Sequence, residues 1–247
     1  MIGPVRVSFI IPAHNEEALI GRTLAALEES ASALGESYEI IVANDSSTDN
    51  TAAIALEYKA QIITLDRRQI AATRNAGARA AKGELFIFVD ADTVVTARAV
   101  RAALRAMRGG SVGGGCCVRI DGPLPTYAII LERLLWAVSP AIGLVGGCFL
   151  FCTRQAYLKA GGFNEDWYAA EEVAFSGELK RQGRFIVLRE FVTTSGRKLR
   201  AHTALDMLRL GVRLVLGGQR PLRQRDGLEY WYGSREAPTG RLEATSK

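Results

Sequence analysis

The feature that most constrains the fold of this chain is the alternation of short apolar runs with helix-like segments over roughly its first ninety residues. Unbroken apolar runs are typical of strands buried on both faces of a parallel sheet. The predicted strands are 7–11, 39–43, 61–65 and 85–89, and the predicted helices between them are 16–34, 52–58 and 70–81. Strands and helices that alternate through short connections predict an α/β fold with right-handed crossovers.

The second part of the chain departs from this alternation, which indicates additional elements built onto the sheet. An apolar segment, 136–152, raises the question of a membrane span, but Pro140 and several glycines interrupt it. We therefore interpret it as a loop followed by a buried strand. The other predicted elements are helix 97–107, a Gly-rich stretch 109–115, strand 116–120, helix 127–136, helix 154–159, helix 171–182, strand 185–187 and helix 205–216.

Composition restricts the class of protein and its surroundings. The net charge of +5 suits an anionic ligand or membrane surface and is too small to indicate nucleic acid. The four cysteines have neither paired metal-site spacing nor the density of a disulfide scaffold, which predicts reduced and mostly buried thiols. The first residues do not resemble a secretory signal. We expect a cytoplasmic protein.

Two carboxylates, Asp90 and Asp92, follow the fourth predicted strand directly. Residues two apart in extended chain point the same way, and open α/β sheets bind ligands at the carboxyl ends of their strands. The pair could hold Mg²⁺ or Mn²⁺, since Mg²⁺ is often bound by one or two carboxylates together with substrate phosphates. The alternative is a pair of Asp residues that cap the next helix.

Four such strand or helix ends carry polar motifs in a particular order. They are Pro12-Ala13-His14-Asn15-Glu16, Asn44-Asp45-Ser46-Ser47-Thr48-Asp49, Asp90-Ala91-Asp92 and Glu171-Glu172. Together the motifs resemble the I-I-P-x-x-N-E, D-D-G-S-x-D, D-x-D and E-D patterns of the inverting family 2 glycosyltransferases, over roughly residues 5–190. The chain departs from the family at Asn44, where Asp is usual, and at Ser46, where Gly is usual. The resemblance implies a GT-A fold, which is an α/β fold with a mostly parallel central sheet flanked by helices.

The resemblance also implies a donor site for a nucleoside-diphosphate sugar. Asp45 would bind the base or the ribose, and Asp90 would contact the ribose or a metal-bound water. The residues that the resemblance assigns to the donor site are Pro12, Ala13, Glu16, Asn44, Asp45, Arg74, Asp90, Ala91, Arg197 and Lys198. Arg67 and Arg68 could reach phosphate as well.

Catalysis by this family implies a metal ion and a general base. The metal ligands would be Asp92, with Asp90 and His202, and the metal would neutralise the leaving diphosphate. Glu172 would take the proton of the acceptor hydroxyl, with Glu171 as its packing or acceptor-binding neighbour. Two alternatives remain open: both glutamates could simply stabilise a helix N-terminus, and His202 could be an ordinary helix residue.

The resemblance and the charge pattern lead to further expectations about acceptor and organisation. The Q-x-x-R-W signature of processive synthases is absent, which favours transfer of single sugars to a saccharide or lipid-linked acceptor. The basic, amphipathic stretch 197–225 could make peripheral contact with the inner membrane face, or pack on its own domain. We expect one GT-A domain over 1–220, with a nucleotide-binding half (1–95) and an acceptor half (96–220), followed by an extension (221–247).

Two other functions remain as alternatives. Asp90-x-Asp92-Thr93 also fits the D-x-D-x-T motif of haloacid-dehalogenase-type phosphatases, although three strand-helix units precede it here. A nucleotide-sugar-binding module without turnover is the non-enzymatic alternative, and Asn44 favours it slightly.

Overall fold

The computed structural model describes residues 6–197, 200 and 220–223. It contains one sheet with the strand order β3-β2-β1-β4-β7-β6-β8-β5. The strands are β1 (Val7–Ala13), β2 (Tyr38–Asp45), β3 (Gln61–Leu65), β4 (Leu85–Val89), β5 (Thr93–Val94), β6 (Gly113–Ile120), β7 (Phe149–Thr153) and β8 (Phe185–Thr194). The helices are α1 (Ile20–Ser32), α2 (Thr51–Glu57), α3 (Ile70–Ala80), α4 (Ala97–Arg108), α5 (Thr126–Ile142), α6 (Arg154–Ala160) and α7 (Glu171–Gln182), and a 3₁₀ turn covers Arg220–Arg223.

The sheet is parallel in its first part and mixed in its second. Strands β1, β2, β3 and β4 pair in parallel, as the alternation of strands and helices predicts. Strand β7 then pairs antiparallel with both β4 and β6, whereas β6 and β8 are parallel. The parallel strands all end at the same edge of the sheet. The motifs that follow β1, β2 and β4 therefore lie side by side.

Both faces of the sheet are covered by apolar packing. Along β1, Phe9 and Ile11 face the cluster that includes side chains of α1 and α4, and Ile10 faces the opposite cluster with α3, α6 and α7. Successive strand residues point to opposite faces, so an unbroken apolar strand supplies both clusters. No helix within the described ranges is long and apolar enough to cross a membrane.

The predicted loop at the start of 136–152 is wrong, because α5 continues through Pro140 to Ile142. Proline lacks the amide N–H that would donate to the carbonyl oxygen four residues earlier, and the helix ends within one turn after it. The helix ends where Gly143 adopts the left-handed conformation (φ 67°), as helices commonly do.

Two strands are longer than predicted. Strand β6 begins at Gly113, inside the predicted Gly-rich stretch. Glycine is needed in this part of the strand because neighbouring backbone lies very close: a Cβ on Gly114 would lie 2.0 Å from the carbonyl oxygen of Ile186. Strand β8 continues to Thr194, seven residues beyond the predicted strand 185–187. Its register against β6 shifts between Cys116 and Cys117, so that a bulge accommodates the polar residues that interrupt the apolar run.

Candidate active site

A cavity of about 630 Å³ opens at the carboxyl ends of β1, β2 and β4. The predicted site residues that line it are Pro12, Ala13, Glu16, Asp45, Arg74, Asp90, Ala91, Asp92, Glu171 and Glu172. Arg197 contacts two of these residues, and Asn44 is buried behind them. Lys198 and His202 lie outside the described residues. The fold thus brings together motifs up to 160 residues apart in the sequence.

Asp45, at the end of β2, organises the chain that follows β3. One carboxylate oxygen accepts hydrogen bonds from the amides of Arg67 (2.8 Å) and Arg68 (2.9 Å). The other accepts from the amide of Gln69 (3.0 Å) and the hydroxyl of Thr73 (2.7 Å). Burial alone would raise the pKa of Asp45, but these hydrogen bonds to the ionised form lower it below its ordinary value. Asp45 is therefore an ionised anchor for the loop that leads into α3.

The neighbouring residues of this wall also connect separate strand ends. His14 Nδ1 lies 2.6 Å from the carbonyl oxygen of Asp45, which ties the end of β1 to that of β2. Asn44 is buried, and its side-chain oxygen has no hydrogen-bond partner within the described part of the chain. The position at which the motif departs from the family pattern thus lies in the interior beside the site.

Arg74 of α3 is buried at the centre of three carboxylates. It donates to Glu171, to Asp90 (2.9 Å) and to the carbonyl oxygen of Gly147 (3.1 Å), and its guanidinium lies 5.4 Å from the ring centroid of Phe163. Burial would lower the pKa of Arg74, but the carboxylates raise it, so the guanidinium stays charged. Arg74 was predicted to bind the donor; its contacts here are with this carboxylate cluster.

The carboxyl group of Glu172 lies next to that of Glu171 and near the guanidinium of Arg74. Burial and the adjacent Glu171 raise its pKa to about 7, against a smaller opposite effect of Arg74. Burial also raises the pKa of Glu171, although its ion pair with Arg74 opposes this. The adjacent carboxyl groups of Glu171 and Glu172 therefore hold a proton more readily than separate carboxyl groups would.

Gly147, between α5 and β7, allows this cluster to form. A Cβ at this position would lie 2.8 Å from Arg74 Nη2 and 3.4 Å from Glu172 Cδ. The first distance is shorter than real Cβ contacts allow, so any side chain here would displace the guanidinium. The absence of a side chain at Gly147 is thus a condition for the packing of Arg74 against the carboxylates.

A second cluster of charged side chains adjoins the cavity, where Glu16 and Asp92 both contact the guanidinium of Arg197. Arg197 donates to Glu16 and lies 3.4 Å from Asp92 Oδ2. Asp92 Oδ1 also accepts from the hydroxyl of Thr194 at 3.3 Å. Within the described ranges, no group of three or more His, Cys, Asp or Glu side chains is arranged to hold a metal ion. The pair of carboxylates nevertheless creates a position that selects positive charge.

One wall of the cavity, formed by α5 and its neighbours, could not be predicted from the sequence. This wall is mostly apolar, and it includes Val118, Ile120, Tyr127, Leu131, Leu135, Trp136, Leu144 and Val145. The helical spacing of 127–136 indicated a helix but not the surface against which it packs. Three of the four cysteines, Cys116, Cys117 and Cys148, also line the cavity, and all four are free and buried, as predicted.

The family model for glycosyl transferase family 2 matches residues 8–141, which is more than half of the chain. The chain belongs to glycosyl transferase family 2. The match covers β1 through most of α5 and includes three of the four motifs. Glu171 and Glu172 lie beyond it.

Curated relatives of this family 2 chain carry names of sugar-transferring enzymes. It is 33% identical over 138 residues to a validoxylamine A glucosyltransferase from Streptomyces hygroscopicus subsp. jinggangensis, covering 51% of this chain and 32% of that protein. It is 36% identical over 168 residues to an undecaprenyl-phosphate 4-deoxy-4-formamido-L-arabinose transferase from Shewanella sediminis, covering 62% of this chain and 50% of that protein. The matches span about a third to a half of these relatives.

Solved structures place the family 2 chain in the GT-A fold. The glucosyl-3-phosphoglycerate synthase from Mycobacterium tuberculosis, solved with Mn²⁺, uridine diphosphate and glucosyl-3-phosphoglycerate, matches with a TM-score of 0.57 at 19% identity. The match covers 95% of this chain and 82% of that one. The predicted fold class is therefore confirmed.

Proposed function

We propose that this protein transfers a single sugar from a nucleoside-diphosphate sugar to an acceptor hydroxyl by metal-dependent inverting displacement. The observation that carries the proposal is the position of Glu172. Its carboxyl group lines the same cavity as the carboxylates that follow β1, β2 and β4, and its pKa is raised to about 7. A general base is most effective when its pKa lies near the working pH.

In the proposed reaction, Glu172 takes the proton from the acceptor hydroxyl as the hydroxyl oxygen attacks the anomeric carbon. The bond from that carbon to the nucleoside diphosphate breaks on the opposite face of the sugar, which inverts the configuration. Arg74 acts as a positioning residue because it fixes Glu171 and Asp90 beside the base. Asp45 is proposed to contribute to the base or ribose subsite, together with Pro12 and Ala13.

The carboxylate oxygens of Asp92, Asp90 and Glu16 suit a hard divalent cation such as Mg²⁺ or Mn²⁺. Asp92 would hold it, with Asp90 or Glu16 nearby, and the diphosphate and waters would complete its coordination. When bound, the cation supplies neutralisation of the charge on the leaving diphosphate. The contact of both Glu16 and Asp92 with the guanidinium of Arg197 supports this assignment, because the two carboxylates share one positive charge there. Arg197 would then be free to bind the diphosphate, and roles for Lys198 and His202 remain predictions.

The acceptor half and the location of the protein are also proposals. The name of the Shewanella relative supports a lipid-linked acceptor, and that of the Streptomyces relative supports a small saccharide-like one. We propose a cytoplasmic enzyme in peripheral contact with the inner membrane face, with a nucleotide-binding half over 1–95 and an acceptor half over 96–220. The phosphatase and the silent binding module are less favoured, since neither explains Glu172 in the shared cavity.

The first test is thermal unfolding with UDP, GDP, CDP and TDP, each with and without Mn²⁺. A ligand present at a hundred times its Kd adds about 2.7 kcal/mol to the free energy of unfolding. We expect one nucleotide to stabilise the protein, and only with Mn²⁺. Asp92→Asn should remove this shift, whereas Asp166→Asn, which changes an exposed Asp outside the cavity, should keep it.

Other outcomes would contradict the proposal in different ways. An unchanged shift in Asp92→Asn would remove Asp92 from the metal site. Hydrolysis of a generic phosphate ester, without any nucleotide response, would favour the phosphatase. Nucleotide binding without transfer to any of a panel of saccharide and polyprenyl-phosphate acceptors would favour the binding module.

A further inference from the structure

Helix α5 exposes far more apolar surface than any other described helix. Only Ala128 and Ser139 of its residues are buried. Its large apolar side chains that are more than a third exposed are Tyr127, Ile129, Ile130, Leu131, Leu134, Leu135, Val138 and Ile142. By comparison, α2, α6 and α7 each expose one such side chain, namely Leu56, Leu158 and Val173. A contiguous exposed apolar patch marks an interaction site in a folded protein.

The exposed apolar residues form one stripe that begins inside the cavity. Residues three and four apart lie on the same side of a helix, so Ile130, Leu134 and Val138 follow one another along its outer side. Leu131 and Leu135, one position further around the helix, line the cavity. The apolar surface therefore continues from the cavity wall, over the helix, to the outside of the molecule.

The charges around this stripe favour an anionic lipid surface over a second copy of the chain. Glu132 accepts a hydrogen bond from the amide of Ile120 (2.8 Å), and it is therefore turned towards β6, while Arg133 is exposed. Lys180 donates to the carbonyl oxygen of Ile142 at the end of α5. A two-fold contact between copies would bring these cations towards each other, whereas anionic headgroups would pair with them.

The packing of α5 on the protein determines how it would meet a bilayer. Ala128 and Ser139 are buried against the rest of the chain, and Trp136 donates to the carbonyl oxygen of Val118 (2.6 Å). A helix held in this way along one side can present only its other side to lipid. Apolar residues on that side, with Arg133 beside them and Lys180 at the end of the helix, are typical of helices that lie in the plane of a membrane surface.

We propose that α5 is a lipid-binding helix whose outer residues, Ile130, Leu134 and Val138, insert into an anionic membrane surface beside the cavity. The cavity then opens towards the bilayer. A second part of the proposal rests on the proposed transfer activity: the acceptor is amphipathic, and its hydrocarbon part lies along Leu131 and Leu135 while its polar end reaches Glu172. This surface differs from the basic stretch 197–225 in which the sequence suggested a membrane contact.

Vesicle flotation of the full chain, without donor or acceptor, tests the first part. The vesicles contain phosphatidylcholine with or without phosphatidylglycerol. We expect binding that needs the anionic lipid and weakens with salt, and at least a tenfold loss of binding in the double variant Ile130→Asp/Leu134→Asp. Leu158→Asp is the matched control, because Leu158 is 65% exposed, comparable to Ile130 at 63%, and lies on α6. Its binding should remain unchanged.

Several results would overturn the proposal. The wild-type protein could fail to bind vesicles, or the double variant could bind as the wild type does. Sedimentation could show a dimer that the double variant disrupts, in which case a second copy covers α5. A marked loss of thermal stability in the double variant would mean that α5 packs on the chain itself. Because the flotation assay contains no donor, failure of the transferase proposal would leave its result unaffected.

The second part is tested by comparing acceptors of equal headgroup and different chain length in detergent. We expect the double variant to retain transfer to a short-chain acceptor, since neither changed residue lines the cavity. Leu131→Asn/Leu135→Asn should raise the KM for a long-chain acceptor at least tenfold more than for a short-chain one. Equal effects on both acceptors would refute the hydrocarbon path.

Discussion

Arg74 and Glu171 form an ion pair in which both side chains are only 4% exposed. The pair joins α3 to the first turn of α7, and Arg74 also binds Asp90, which is 34% exposed, after β4. Two buried ions lose their hydration, and their attraction compensates for this loss only when both are present. The pair therefore couples the stability of the fold to the position of the candidate base next to it.

Removing the guanidinium should destabilise the protein strongly. Arg74→Met leaves Glu171 buried without its partner, and we expect a loss of about 3–5 kcal/mol in the free energy of unfolding. Urea denaturation at pH 8 measures it. The matched control is Arg79→Met on the same helix, whose side chain is 65% exposed, and it should change stability by no more than about 0.5 kcal/mol. If Arg74→Met/Glu171→Gln is as unstable as Arg74→Met, the uncompensated charge is not the cause.

The pH dependence of transfer should report the ionisation of Glu172. A general base acts only when ionised, and the pKa of Glu172 is raised to about 7, so kcat/KM should rise with pH through a midpoint near 7. The positive charge of Arg74 lowers this pKa, and a folded Arg74→Gln variant should therefore show a higher midpoint. A profile that is flat from pH 5 to 8 would exclude a base with this pKa.

Replacing the candidate base should abolish transfer without loss of the donor site. Glu172→Gln is expected to lower kcat by two to four orders of magnitude while the nucleotide-induced thermal shift stays the same. Because the folded state disfavours the ionised form of Glu172, the neutral amide should not lower the stability at pH 8. Glu178→Gln, on the exposed side of α7, is the control with wild-type activity. Retained transfer would assign the base to Glu171 or to another group.

Two glycine substitutions separate a steric requirement from ordinary helix propensity. Gly147→Ala places a Cβ 2.8 Å from Arg74 Nη2, so we expect at least a tenfold loss of kcat as the guanidinium moves away from Asp90. Gly177→Ala in α7 meets nothing within 4 Å, and it should keep full activity and gain up to about 1 kcal/mol of stability. Steady-state kinetics and denaturation of both variants test this. Full activity in Gly147→Ala would show that the cluster can rearrange without consequence.

Asp45 should contribute to stability through the loop that it anchors. In Asp45→Asn, one carboxylate oxygen becomes an NH₂ group that cannot accept a hydrogen bond. One or two of the donors, which are the amides of 67–69 and the hydroxyl of Thr73, then lack a partner. We expect a loss of about 2–4 kcal/mol in the free energy of unfolding. Asp66→Asn, at an exposed Asp nearby, should have little effect. Because the pKa of Asp45 is lower when folded, its contribution is present above the ordinary pKa of 3.8 and is lost as the pH falls through the folded value. An equal loss in both variants would contradict this.

Local sequence patterns predicted the first part of the fold closely. Strands β3 and β4 begin and end at the predicted residues, and β4 is almost fully buried, as its unbroken apolar run predicts. The glycines of β6 and the polar residues of β8 weakened the same signal, since glycine lacks strand propensity and charged residues interrupt an apolar run. Parts of both strands, 116–120 and 185–187, were predicted, but their full lengths could be recognised only from their partners, which approach closely at Gly114 and shift in register at Cys117.

The sequence by itself determined the family, the parallel half of the sheet, and the edge at which the motifs of β1, β2 and β4 meet, because strand ends in a parallel sheet share one edge. The tertiary structure alone decided how these side chains interact. It placed Arg74 among carboxylates from α7 and from the end of β4, and it paired Asp45 with backbone amides. It also placed one side of α5 along the cavity as its wall. Burial, distance and shared charge depend on residues far apart along the chain, and local periodicity carries no information about them.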